Sequence, residues 1–121
     1  MTRPLSGLDG IVIDVETGGL NPKTDALLML GYIILSDGQP VDEGMFRIAP
    51  SLSLQITSPA LSVIQWELRK GDRAEWDVLI AFAHVVEAVV WERGKPHVIG
   101  HNVDFDVTFV AEAYRRWRQS N

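Results

Sequence analysis

Cysteine is absent from this 121-residue chain, which removes disulfides, thiolate nucleophiles and Cys-based zinc sites at once. Any metal must then be held by oxygen or imidazole, and there are only three histidines. Long apolar runs are lacking too. Charges interrupt every stretch before the ~18 residues that a membrane span needs, and no basic-then-apolar signal segment opens the chain. These absences predict a cytoplasmic protein that makes no use of a membrane. Repeats, low-complexity tracts and linkers are also missing, so the expectation is one domain over residues 1–121. What is present is globular: 46% apolar and 22% charged residues set aside disorder, collagen and coiled coil.

The net charge of −5 is unevenly spread. Residues 1–45 hold seven acids (Asp9, Asp14, Glu16, Asp25, Asp37, Asp42 and Glu43) against Arg3 and Lys23, whereas residues 46–121 carry nine charges of each sign. Such a chain does not coat a duplex by electrostatics. An acidic half remains compatible with acids that hold divalent metals.

Hydropathy patterning predicts the order β-β-β-α-α-β-α. Gly10 to Glu16 is a β-branched run that stops at Thr17-Gly18-Gly19. Ala26 to Leu35 is a second strand, joined through Asp37-Gly38 to a third over Val41 to Ile48, a two-residue hairpin signal. Ser58-Pro59 starts a short helix to about Leu68. Ala74 to Glu92 is the longest helical pattern, apolar almost all round, and is expected to be mostly covered, with Gly94 as its stop. His97 to Gly100 is a fourth strand, followed by a last helix to about Arg118 with Asp104 as its N-cap.

Three acids stand out. Asp14 and Glu16 lie two residues apart on a strand, so they leave one face while Ile11, Ile13 and Val15 leave the other. If that strand is buried on both faces, the pair needs a cation between them, and oxygen ligands favour Mg²⁺ or Mn²⁺. A solvated strand end is the alternative. In the last helix, Phe109, Val110, Ala113 and Trp117 define an inward face, and Asp106 lies on it one turn earlier. If the first and fourth strands are parallel neighbours, that helix starts near the carboxyl end of the first strand, where the three acids can share a metal. Of the other polar residues, His101 suits either a phosphate or water contact or a local hydrogen bond that fixes its turn. Arg115, Arg116 and Arg118 suit a phosphate backbone or a solvated helix end equally well.

The segments IVIDVETGGLNPKTDALLMLG and VIGHNVDFDVTFV resemble the first and second motifs of the DEDD superfamily of 3′-to-5′ exonucleases, on its ribonuclease T and proofreading branch. ITSPALSVIQW is similar to the connecting helix of that family. The resemblance implies an α/β, ribonuclease H-like exonuclease fold, a mixed sheet with flanking helices. It also implies a two-metal site for Mg²⁺ or Mn²⁺ and hydrolysis of single-stranded nucleic acid from a 3′ end. By motif position, Asp14, Glu16 and Asp106 are implied metal ligands and catalytic acids. Thr17, Gly18 and Leu20, with His101, Asn102 and Phe105, are implied to contact the 3′-terminal nucleotide, and glycines at 18 and 19 would let substrate approach the main chain.

One departure is plain: the third motif of the family, a His-x-x-x-x-Asp pair after a fifth strand, has no counterpart, since no His or Asp follows Asp106. Met29 also stands where the first motif often carries Glu. The expectation is therefore a C-terminally truncated version of the fold. The alternative to an active nuclease is an impaired, nuclease-derived binding or assembly module, or a fragment of a longer exonuclease. A missing fifth strand would leave the fourth as a sheet edge, so a homodimer or a partner chain is expected to cover it.

Overall fold

The computed structural model describes residues 7–120; residues 1–6, read above for a signal segment, and residue 121 lie outside it. The elements are β1 (Gly10–Thr17), β2 (Leu27–Ser36), β3 (Gln39–Ala49), α1 (Pro59–Ser62), α2 (Gln65–Leu68), β4 (Arg73–Ala74), α3 (Glu75–Arg93), β5 (His97–Ile99) and α4 (Val103–Ser120). The described strands form one mixed sheet in the order β4-β3-β2-β1-β5. β1 is antiparallel to β2 and parallel to β5, as the expected topology requires.

The β2–β3 hairpin turns at Asp37 and Gly38, with φ of 51° and 76°. Two left-handed residues in succession match the twist of the strands, which is why an Asp-Gly pair serves here. The turn is tied down from outside by Gly38 N–H, which donates to Leu8 O at 2.7 Å, and by Asp37 N–H, which donates to an Asp9 carboxylate oxygen at 2.9 Å.

Ile11, Ile13 and Val15 are buried under α3 and α4 with Leu27, Leu30, Ile34 and Ile48. α3 contributes Val78, Leu79, Phe82 and Val89, and α4 contributes Phe109, Val110 and Ala113, confirming the inward face read for the last helix. A smaller cluster of Ala26, Leu28, Leu54 and Ile56, with Leu61 and Leu68 against it, ties down the 50–68 segment. A register shift of β1 against β2 at Glu16/Thr17 turns Leu28 away from the main core while Leu27 and Leu30 both enter it.

Four expectations are corrected. The helix from 58 to 68 is two single turns, α1 and α2, broken at the β-branched pair Val63-Ile64. The two-residue strand β4, parallel to the end of β3, was not foreseen, because two residues pair only when a distant strand is already in place. α3 is covered on one side alone: Ile80 and Val90 are exposed and Trp91 is 91% exposed. Asp104 lies in the first turn of α4, which begins at Val103, so it is not the cap.

An apolar trough of about 210 Å³ runs between α3, α4 and β5, with Ile11, Phe82, Val98, Val107 and Tyr114 in its walls. Beside it the Tyr114 hydroxyl donates to Leu79 O at 2.6 Å, joining α4 to α3, and burial pushes its pKa up to about 12. A phenol raised in this way adds stability below the ordinary tyrosine value and loses it as pH rises toward the folded one. Tyr114→Phe should lower the urea-unfolding free energy by about 1 kcal/mol near neutral pH. It should also flatten the alkaline loss of stability between about pH 10 and 12; equal unfolding curves for both proteins would refute the role of the hydroxyl.

Candidate active site

β5 pairs with β1 only over Gly10 to Val12, so the edge of β1 beyond Val12 has no strand neighbour on that side. α4 supplies a partner there. Its first turn carries Asp106, 6% exposed, and the Asp106 carboxylate accepts the Val15 N–H at 3.3 Å. A side chain thus satisfies a ladder donor that the short strand leaves over.

Burial holds the Asp106 carboxyl above the ordinary aspartate value. The Val15 N–H opposes that shift, the charge of Asp14 adds to it, and His101 counters it weakly. Asp14 and Asp106 are therefore near enough to feel each other's charge. Asp14 and Glu16 share the opposite face of β1 from Ile11, Ile13 and Val15, as the strand period requires. Both are exposed, however, which overturns the premise that the strand is buried on both faces.

Asp14 lines an open trough of about 300 Å³ with Met29, Gly31, Glu43 and Met45. Glu16 opens into a hollow of about 110 Å³ with Met29, Arg47 and Leu68. Met29, directly opposite Glu16 across β1–β2, separates these two spaces. Among the described residues, no three His, Asp or Glu side chains are gathered closely enough to hold a metal ion. The reason is geometric: Asp106 reaches β1 in the plane of the sheet from the helix side, whereas Asp14 and Glu16 stand off its open face.

The loop after β1 forms a separate cleft of about 540 Å³ lined by Thr17, Gly19, Leu20, Asn21, Ser58 and Leu61, among others. Leu20 is 84% exposed at its rim, and the Thr17 hydroxyl donates to Gly19 O at 2.7 Å. Gly18 is buried, and its carbonyl accepts the N–H groups of Thr57 and Ser58. A Cβ on Gly18 would sit 2.8 Å from Gln55 O, and one on Gly19 would sit 2.2 Å from the Thr57 hydroxyl. Both glycines are thus required by the chain's own packing, Gly18 against Gln55 and Ile56 and Gly19 against Thr57 and Asp25, a cause that the sequence did not show. Of the second-motif residues, His101 and Asn102 are exposed, and Phe105 packs on Phe109 with ring centres 4.9 Å apart.

No protein-family model matches the chain. It is 33% identical over 120 residues to ribonuclease T of Pectobacterium atrosepticum, covering 91% of this chain and 54% of that protein. It is 30% identical over 114 residues to the PolC-type DNA polymerase III of Lacticaseibacillus paracasei, covering 94% of this chain and 7% of the polymerase. Its fold is similar to that of E. coli exonuclease I, solved in complex with a 5cy-dA13 oligonucleotide: TM-score 0.62, 21% identity, 90% of this chain and 24% of that one. These likenesses in sequence and fold agree with the resemblance of the two acidic motifs to the DEDD exonuclease superfamily. It spans about half the length of the ribonuclease T relatives and a small part of the polymerases.

The basic residues of the chain are partly committed to its own structure. Arg116 donates to Pro22 O at 3.1 Å and pairs with Glu75 at 3.2 Å, bracing α4 against α3 and the loop after β1. Arg115 pairs with Glu112 and donates to Gln119, all on α4. Arg118 is exposed. Asp25, which the sequence showed only as one acid among seven, is 3% exposed beneath the cleft. Its signal was available: an Asp four residues after an Asn in a Pro-containing turn invites side-chain closure of that turn.

An aspartate with a pKa raised by folding adds stability below the unfolded value and loses it as pH rises through the folded one. Asp106→Asn keeps an acceptor for Val15 and removes the charge. In metal-free buffer the variant should melt higher than wild type near neutral pH, and the gap should close toward about pH 3. Thermal melts at the two pH values decide this; a lower melting point near neutrality would show that the ionised carboxylate is a net stabiliser.

Proposed function

We propose that residues 1–121 form one exonuclease domain that removes nucleotides from the 3′ end of single-stranded nucleic acid. In this reading Asp14, Glu16 and Asp106 hold divalent cations, Mg²⁺ or Mn²⁺, in a two-metal site. The observation that carries it is the buried Asp106 carboxylate, whose charge is disfavoured by burial and by Asp14, on the open edge of the strand that also bears Glu16. A cation would relieve that cost. The donors fit a hard ion, being carboxylate oxygens alone. Asp14 and Glu16 are exposed, so turning toward Asp106 costs them rotamer freedom but no packing.

When bound, the metal ions would supply a hydroxide and neutralise charge on the scissile phosphate. The rest falls to the chain. Thr17, Gly18 and Leu20 would bound the terminal nucleotide from the β1 side, with Asn102 and Phe105 across from them. His101 would hydrogen-bond a phosphate oxygen or a water beside Asp106. No helix among the described residues is long and apolar enough to cross a membrane, and a cytoplasmic setting belongs to the same reading.

The expected result is a ladder that shortens from the 3′ end of a 5′-labelled oligonucleotide only with Mg²⁺ or Mn²⁺. Turnover should be slow, since absence of a positioned base costs ~10²- to 10⁴-fold. Asp14→Asn should abolish the ladder and weaken Mn²⁺ binding, followed by electron paramagnetic resonance, at least ~10-fold. Release of nucleotides from the 5′ end, or unchanged Mn²⁺ binding, contradicts the proposal. A second reading, a binding module without turnover, is favoured by the lack of a gathered three-acid group among the described residues. It predicts oligonucleotide binding with no ladder under any metal.

We also propose that a second copy of this chain covers β5. That strand is bonded on one side alone, Val98 is exposed on it, and the adjoining trough has apolar walls. Sedimentation equilibrium should show a monomer–dimer equilibrium; a monomer at every concentration excludes it.

A further inference from the structure

Asp25 is the most buried charged side chain among the described residues, yet no step above uses it. One carboxylate oxygen accepts the Asn21 N–H at 2.9 Å, and the other accepts the Thr57 hydroxyl at 3.0 Å. The main chain repeats the connection. Asp25 N–H donates to Asn21 O, Ala26 N–H donates to Gln55 O, and Gln55 N–H donates to Thr24 O, each at 2.8 Å. The loop after β1 and the segment before α1 are thus joined through one carboxylate and a short parallel bridge, Asp25 to Gln55.

Gly19 lies directly on that joint. A Cβ there would be 2.3 Å from an Asp25 carboxylate oxygen and 2.2 Å from the Thr57 hydroxyl. Asp25 and Thr57 are also part of the wall of the 540 Å³ cleft that Thr17 and Leu20 border. The Asp25–Thr57 bond thus joins the main-chain bonds of Gly18, Thr24 and Ala26 to the 55–58 segment in tying together the two walls of the cleft, since Leu20 stands on one loop and Leu61 on the chain that continues from Thr57.

We propose that Asp25 and Thr57 form a positioning clamp that fixes the 17–21 loop, and so the cleft, in the shape that receives a 3′-terminal nucleotide. The nucleotide part of this inference rests on the exonuclease reading above; the clamp itself does not. A buried carboxylate that loses one donor is left with an unmet acceptor, so the loop has a strong bias toward the clamped shape.

Thr57→Val removes the hydroxyl and keeps the shape, whereas Thr57→Ser keeps the hydroxyl. In EDTA, with 5′-fluorescein dT10 as probe and anisotropy as readout, Thr57→Val should raise Kd roughly three- to tenfold and Thr57→Ser should not. Asp25→Ala, which removes both acceptor oxygens, should follow Thr57→Val. In the same proteins, amide hydrogen exchange at Gly18 and Asn21 should quicken in Thr57→Val while the β1–β2 ladder stays protected, which separates loosening of the loop from loss of fold. Where the ladder assay shows turnover, KM should rise with kcat kept. Unchanged exchange at Gly18 and Asn21 overturns the clamp. Faster exchange with unchanged Kd overturns its positioning role. If the wild-type chain does not bind dT10, the nucleotide assignment falls, and the exchange rates still decide whether the clamp exists.

Discussion

β1 is hydrogen-bonded on both sides, but only its first three residues have a neighbour in β5. From this mismatch in strand length follow the open N–H of Val15 and the reach of Asp106 toward it. The same strand divides two environments by its period of two: Ile11, Ile13 and Val15 anchor both long helices, while Asp14 and Glu16 stand on the uncovered face. A one-residue slip of β1 would exchange the two sets and leave neither a core nor an acidic face.

Charge is the second organising feature. The fold buries the Asp106 carboxylate within reach of the Asp14 charge, which costs stability near neutral pH, and among the described residues it gathers no three acids closely enough to hold a metal ion. Asp25 is buried in a different way. It is ringed by donors from its own turn and from Thr57, so it holds two loops together with no outside partner. The two buried aspartates thus differ in their partners: Asp25 is met by a donor on each carboxylate oxygen, whereas Asp106 is met by the Val15 N–H and lies within reach of the Asp14 charge.

The arginines and tryptophans follow the same division. Arg116 bridges α4, α3 and the loop after β1, and Trp76 lies against Trp117 with ring centres 3.8 Å apart, so Arg116 and the rings near the end of α4 serve packing. Trp91 and the apolar trough beside β5 are different in kind, being apolar surface that the described chain leaves open.

Local patterns were legible in the sequence wherever their cause is local. The alternation of Gly10 to Glu16, the Asp-Gly hairpin and the inward stripe of Asp106, Phe109, Val110 and Ala113 each depend on the period of one element or on one turn, and the structure keeps them. The two acidic motifs also carried the resemblance with which the relatives and the fold agree. What the sequence by itself determined is thus which residues share a face, because strand and helix periods are properties of the backbone. Only tertiary structure decided how those faces meet: the two-residue β4, the exposed side of α3, the internal reason for Gly18 and Gly19, the Asp25–Thr57 joint, and the offset of Asp106 from Asp14 and Glu16. Each depends on segments tens of residues apart, whose approach is set by packing and by strand lengths that no local pattern encodes.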